Sequence, residues 1–129
     1  MNQAFDDPLT GKILAAAISV HRELGPGFLE SIYEEAMAIA LTEAGLRFRR
    51  QWVVPLHFHG QAVGEHRLDY LVEESVVLEL KAIKAFEDVH FAIVRSYLRA
   101  SGASRGLLIN FSAPTLQVRR IGPEYRPNS

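Results

Sequence analysis

Cysteine is absent from the 129-residue sequence, and so are long apolar runs. Without cysteine there is no disulfide framework, no thiolate zinc site and no cysteine nucleophile, which suits a reducing compartment. No apolar run approaches the ~20 residues of a membrane-spanning helix. The opening MNQAFDDPLTGK also lacks the basic and apolar segments of an export signal. We therefore expect a cytoplasmic protein with no membrane association.

Two common catalytic motifs are missing as well. The glycine-containing segment GPGF does not follow a strand pattern, so it is not a phosphate-binding loop. The segment GASRG matches Gly-x-Ser-x-Gly by letters, but it follows a helix pattern and precedes a strand pattern, whereas a serine nucleophile elbow lies between a strand and a helix. These absences argue against ATP chemistry and serine hydrolysis.

An excess of charge of one sign is also lacking, because 14 Lys and Arg residues stand against 15 Asp and Glu residues. A chain with a net charge of -1 creates no long-range positive field, so nucleic acid would have to meet a local basic patch. Two basic clusters are candidates for contact with a phosphate backbone or are simply solvated faces. They are Arg47, Arg49 and Arg50 with Trp52, and Arg95, Arg99 and Arg105.

The chain is long enough, and at 48% hydrophobic residues apolar enough, to build one core, so we expect a single domain over residues 1–129. Asp7 and Pro8 form a typical helix start, and the glycines of GPG end that first helix. A second helix is predicted over residues 28–44, and Gly45 follows it as the helix end.

Strand-like alternation follows the basic segment RFRR and predicts three antiparallel strands. The three strand segments are QWVVPLHFHG, AVGEHRLDYLVE and SVVLELKAI. Helical spacing returns in EDVHFAIVRSYLRASG, and RGLLINF and TLQVRRI read as two more strands. The order α, α, β, β, β, α, β, β predicts an α+β fold with a parallel crossover through the last helix. Residues 122–129 are polar and proline-rich, which predicts a flexible tail.

The third predicted strand carries two charges in an apolar run, Glu79 and Lys81. Side chains alternate in a strand, so these two charges share one face. A two-residue turn before this strand would place Asp69 opposite Leu78, whereas a three-residue turn at residues 73–75 places Asp69 opposite Glu79. We predict the second register. Like charges at one point then favour a bound divalent cation such as Mg²⁺ or Mn²⁺.

A third carboxylate, Glu30, faces inward near the start of the second helix, with Tyr33 on the same side. Each acid also has an ordinary explanation. Glu79 could form a simple ion pair with Lys81, and Asp69 could be an ordinary acid at a strand end. Glu30 could be a first-turn acid that the helix dipole favours. The spacing leaves these alternatives open.

Several segments together resemble the GxxExxY proteins, a compact branch of the PD-(D/E)XK nuclease superfamily. These segments are HREL, GPGFLESIY, LDYLVE, VLELKA, SYLR and GLLINF, in that order, and the resemblance covers about residues 13–121. It implies an αβββαβ restriction-endonuclease-like core, with a central mixed sheet flanked by helices and one extra N-terminal helix.

The resemblance also implies a metal-dependent nuclease site. Asp69, Glu79 and the Leu80 carbonyl would bind Mg²⁺ or Mn²⁺, and Glu30 would join them directly or through water. Lys81 would orient the attacking water or stabilise developing charge. The substrate would be DNA or RNA, with DNA favoured over RNA. The chain is small, so a homodimer or a larger protein partner is a further possibility.

One position departs from the family pattern. Nucleases of the recombination branch carry a Gln four residues before the helix tyrosine, and here Ile93 precedes Tyr97. His90, one turn earlier, is a candidate replacement or an ordinary helix-start residue. We therefore keep two alternatives to a nuclease: an inactive member that binds nucleic acid or protein, and a fold in which the acids are only structural.

Overall fold

The computed structural model describes residues 7–122, and its elements follow the predicted order. They are α1 (Pro8–Leu24), α2 (Glu30–Glu43), β1 (Phe48–Phe58), β2 (Gln61–Val72), β3 (Val76–Lys81), α3 (Asp88–Ser101), β4 (Arg105–Asn110) and β5 (Gln117–Ile121). The strands form one sheet in the order β1-β2-β3-β4-β5, in which only β3 and β4 pair in parallel. The predicted α+β fold class and the parallel crossover are therefore confirmed. Of the predicted flexible tail, all but Gly122 lies outside the described residues.

Several element boundaries differ from the prediction, among them the starts of α2 and β1. Helix α2 begins at Glu30 because the preceding loop is held outside the helix: the Tyr33 hydroxyl donates to the Gly25 carbonyl at 2.5 Å and accepts from the Phe28 amide at 3.2 Å. Strand β1 begins at Phe48, so most of the basic segment RFRR lies inside the strand rather than before it.

Two apolar cores lie on opposite faces of the sheet. Helices α1 and α2 cover one face, where Tyr33 and Met37 pack on Leu78 and Leu80 of β3. Helix α3 covers the other face with Val94, Tyr97 and Leu98. No helix within residues 7–122 is long and apolar enough to cross a membrane.

The β1–β2 hairpin changes face near its open end, at the start of β1 and the end of β2. Phe48 and Tyr70 pack in the core under α1 and α2, whereas Trp52 and Leu68 pack in the core under α3. Residues an even number of positions apart should share a face in a regular strand, so both strands switch face between these points. Gln51 lies at the switch in β1 with a φ of 49°.

The start of α1 offers a test of fold stability. Asp7 caps the helix by accepting from the Thr10 amide, and its carboxylate also accepts from Arg105 at 2.7 Å. Burial would raise the pKa of Asp7, but the hydrogen bonds from Arg105 and Thr10 outweigh it and lower the pKa from 3.8 to about 2.

We expect Asp7→Ala to lower the free energy of unfolding by about 1–2 kcal/mol at pH 7, measured by urea denaturation, because it removes both the cap and the ion pair. Asp7→Asn is the matched control, since it keeps a capping side chain and loses only the charge. Because the folded-state pKa is depressed, the charge contribution should disappear as the pH falls from about 4 to 2. Equal stability of Asp7→Ala and wild type at pH 7 would contradict this account.

Candidate active site

The β2–β3 hairpin has the register that brings the two strand acids together. Tyr70 pairs with Leu78, and residues 73–75 form the three-residue turn. One further step in this register sets Asp69 opposite Glu79. The register predicted from the sequence is confirmed.

Beyond that pair the two strands separate, and a side chain replaces the backbone ladder. The pairing of β2 with β3 covers only residues 70–72 and 76–78. The Leu80 amide instead donates to Asp69 Oδ2 at 2.8 Å. The N–H and C=O of one strand residue point to the same side, so the Leu80 carbonyl also faces the gap next to Asp69.

Glu79 is a buried carboxylate with an unsatisfied oxygen. Its relative exposure is 6%, and its Oε1 has no hydrogen-bond partner. Its Oε2 lies 3.4 Å from Lys81 Nζ. Burial, with the nearby charge of Asp69, raises the pKa of Glu79 from 4.5 to about 8, and Lys81 only partly opposes this shift. Buried polar atoms are nearly always paired in folded proteins, so the free oxygen indicates a site that a ligand completes.

The pKa of Asp69 is raised as well. Burial raises its pKa, the Leu80 amide opposes the rise, and the charges of Glu34 and Glu30 on α2 add to it. The two strand acids thus sit in a negative field that Lys81 alone does not balance. A hard divalent cation would relieve that field.

Glu30 reaches the strand acids from the first turn of α2. Its Oε2 accepts from the Ala82 amide at 3.4 Å, just past the end of β3. Its charge contributes to the raised pKa values of both Asp69 and Glu79. The helix acid predicted from the sequence is therefore close enough to the strand acids to act on them electrostatically.

The sequence interpretation missed two polar residues, Glu34 and Gln51. Gln51 Nε2 donates to Glu34 Oε1 at 2.9 Å and to Asp69 Oδ1 at 3.4 Å. Glu34 follows Glu30 by four residues, and this helical spacing places both acids on one face, so it could have been found. For Gln51 the sequence carries no such signal, because its contacts depend on the face switch in β1.

Comparison with known proteins places this arrangement in a family. A family profile described as the PD-(D/E)XK nuclease superfamily matches residues 7–121. The chain belongs to the PD-(D/E)XK nuclease superfamily. The assignment of Asp69, Glu79 and Lys81 to the superfamily's motif, an acid followed by E-x-K, stays a prediction from the sequence. The narrower resemblance to GxxExxY proteins stays a prediction.

Two solved structures are similar to the superfamily fold seen here. The crystal structure of SSO0001 has a TM-score of 0.60 at 15% identity, over 76% of this chain and 52% of that one. The alkaline exonuclease LHK-Exo from Laribacter hongkongensis has a TM-score of 0.52 at 11% identity, over 96% of this chain and 73% of that one. This chain thus spans about half the length of the first structure. At these identities the likeness shows the fold alone, and no curated protein matches the chain.

The three accessory residues predicted from the sequence lie in different places. Burial, with the charges of Glu79 and Asp69, raises the pKa of Tyr97 to about 12, so this tyrosine is within electrostatic range of the two strand acids. Tyr33 instead holds the α1–α2 loop and stacks on the ring of Phe111 in the core. His90 Nδ1 accepts from the Glu87 amide at 2.8 Å, which completes a capping box at the start of α3. Of the three, Tyr97 is the one whose pKa the charges of the strand acids affect.

The first basic cluster is already paired with carboxylates. The pairs are Arg47 with Glu73, Arg49 with Glu74, and Arg50 with Glu34 and Glu35. Arg49 also lies over the Trp52 ring. Of the second cluster, Arg105 pairs with Asp7. Burial, with the charge of Arg99, lowers the pKa of His66, and Arg95 lies one turn before Arg99 on α3.

Few side chains in the described residues could act as metal ligands. Within residues 7–122 no three His, Cys, Asp or Glu side chains are grouped as a ligand set. Asp69 and Glu79 offer two carboxylates, and the Leu80 carbonyl faces the same gap, so a cation there would take its other ligands from water or from Glu30. The unpaired Glu79 Oε1 and the excess negative charge fit such a cation.

Proposed function

We propose that the protein is a divalent-metal-dependent nuclease that hydrolyses phosphodiester bonds of nucleic acid, DNA rather than RNA. The observation that carries the proposal is the buried, unpaired Glu79 Oε1 at the gap between β2 and β3, beside the Asp69 carboxylate. Membership of the PD-(D/E)XK superfamily agrees with it.

Each residue of the proposed site has a chemical role. Asp69, Glu79 and the Leu80 carbonyl would hold Mg²⁺ or Mn²⁺, with Glu30 joining them directly or through water. The cation would polarise a phosphoryl oxygen of the substrate and lower the pKa of a bound water. Lys81, next to Glu79, would orient that water or stabilise the negative charge that develops on the phosphate.

The second candidate is an inactive member that binds nucleic acid or a protein through the same cleft. One observation favours it: Ile93 packs against the apolar core under α3, at the position where the resemblance leads one to expect a Gln. That position therefore offers no polar group to a substrate. The metal ligands of the proposed site are not affected by this change.

Two measurements separate these functions. Titration calorimetry with MnCl₂ at pH 8 should show one site in the wild type, and Asp69→Asn should abolish it because one of two carboxylate ligands becomes neutral. Asp88→Asn, an exposed acid at the start of α3, is the matched control and should bind as the wild type does.

Cleavage is then assayed on labelled single- and double-stranded DNA and RNA with Mn²⁺. We expect DNA cleavage that is lost in Asp69→Asn purified in parallel. Metal binding without cleavage of any substrate would favour the binding module instead. If no divalent ion binds, both metal-dependent functions are wrong.

A further inference from the structure

Gln51 has a backbone conformation that its neighbours in β1 do not share. Its φ is 49°, in the left-handed region that residues with a Cβ rarely adopt. Such strain in the middle of a strand is found where the surrounding structure enforces it, and it clusters at functional sites. Here it coincides with the point where β1 turns its side chains from one core to the other.

The side chain of Gln51 joins two carboxylates that belong to different elements. One amide nitrogen carries two hydrogens, and Nε2 donates to Glu34 Oε1 of α2 and to Asp69 Oδ1 of β2. Glu34 is itself fixed, because its Oε2 accepts from Arg50 Nη2 at 2.9 Å. Gln51 therefore connects Asp69 to an anchored ion pair.

Both oxygens of Asp69 are then accounted for. Oδ2 accepts from the Leu80 amide and Oδ1 accepts from Gln51. Two donors on different strands fix the rotation of the carboxylate about its own axis. Without Gln51, the Leu80 amide alone would hold the group at one oxygen.

We propose that Gln51 is the positioning residue for Asp69: its strained backbone brings the amide to the Asp69 carboxylate, and the amide orients that carboxylate for a divalent cation. This inference rests on the proposed metal-dependent function. Residues that make hydrogen bonds to metal ligands typically contribute about 10- to 100-fold to metal affinity.

Gln51→Gly separates this role from a merely structural one. Glycine accepts the positive φ without strain, so the melting temperature should be unchanged or higher than that of the wild type. The amide is lost, so the affinity for Mn²⁺ in calorimetry should fall by about 10-fold or more. Gln51→Leu, which loses the amide and keeps the backbone strain, should lose as much affinity. Gln61→Leu, at an exposed position on the same hairpin, is the control and should bind Mn²⁺ as the wild type does.

A second readout needs no metal. Hydrogen exchange at the Leu80 amide, followed by NMR, should be faster in Gln51→Gly than in the wild type, because the freed carboxylate holds that amide less firmly. If the wild type binds no Mn²⁺, the proposed function fails, while Leu80 exchange still tests the role of Gln51. Unchanged Leu80 exchange in a stable Gln51→Gly variant would overturn the inference. A lower melting temperature with general loss of protection would overturn it too, because it would show a structural role.

Discussion

Glu79→Gln is expected to stabilise the metal-free protein at alkaline pH while abolishing Mn²⁺ binding. Burial and the charge of Asp69 raise the pKa of Glu79 to about 8, so the folded state keeps a proton that the unfolded chain releases near pH 4.5. Between these values the folded state binds more protons, and the free energy of unfolding falls as the pH rises. The neutral amide of Glu79→Gln removes the cost of burying a charged carboxylate at high pH. We expect a gain of about 2 kcal/mol at pH 9 and little change at pH 5.

The stability of both proteins is measured by urea denaturation at pH 5, 7 and 9 in the presence of a chelator. Glu65→Gln, an exposed acid on β2, is the matched control and should show no pH-dependent gain. A Glu79→Gln variant that is less stable than wild type at pH 9 would mean that the ion pair with Lys81 outweighs the burial of the charge. Wild-type affinity for Mn²⁺ in that variant would remove Glu79 from the proposed metal site.

Lys81→Met is expected to separate metal binding from catalysis. Lys81 Nζ lies 3.4 Å from Glu79 Oε2, and its side chain is 20% exposed. The ammonium group is thus close to where the proposed reaction would develop negative charge. Removing one group that stabilises such charge typically costs about 100-fold or more in rate. Mn²⁺ affinity should be retained or increased, because Met removes a positive charge beside the cation.

Single-turnover cleavage of DNA and Mn²⁺ calorimetry on the same preparation make this comparison. Lys84→Met, at an exposed position three residues later, should cleave at the wild-type rate. Unchanged cleavage by Lys81→Met would show that Lys81 serves only to balance the charge of Glu79. Lys81 would then have no role in orienting water or stabilising charge, while the proposed metal ligands would be unaffected.

The sequence predicts the fold well because its signals are local. Asp7 and Pro8 start α1 where the capping chemistry requires, and a three-residue turn at residues 73–75 fixes the register of Asp69 against Glu79. Glu30 is exposed in the first turn of α2, and its carboxylate accepts from the Ala82 amide just past β3, on the side of the helix that the residue spacing predicts. At the helices the neighbouring residues determine the geometry, and at the turn they limit it to two registers.

The remainder of the site depends on contacts between distant segments. Gln51 meets Glu34 and Asp69 only because β1 and β2 both change face at this point, and strand alternation predicts the opposite. Tyr33 is the converse case. The family resemblance suggested an accessory role in the site, whereas its hydroxyl makes hydrogen bonds to the backbone of the α1–α2 loop. Tertiary packing decides such cases, and residue spacing does not.

The most direct test of the central claim is anomalous diffraction from crystals soaked in Mn²⁺. The account predicts one strong anomalous peak in the gap between β2 and β3, within ligand distance of Glu79 Oε1 and the Asp69 carboxylate. The peak should be absent from crystals of Glu79→Gln soaked in the same way. Wild-type crystals with no peak in this gap, or with Mn²⁺ bound only elsewhere, would contradict the claim that these two carboxylates form a metal site.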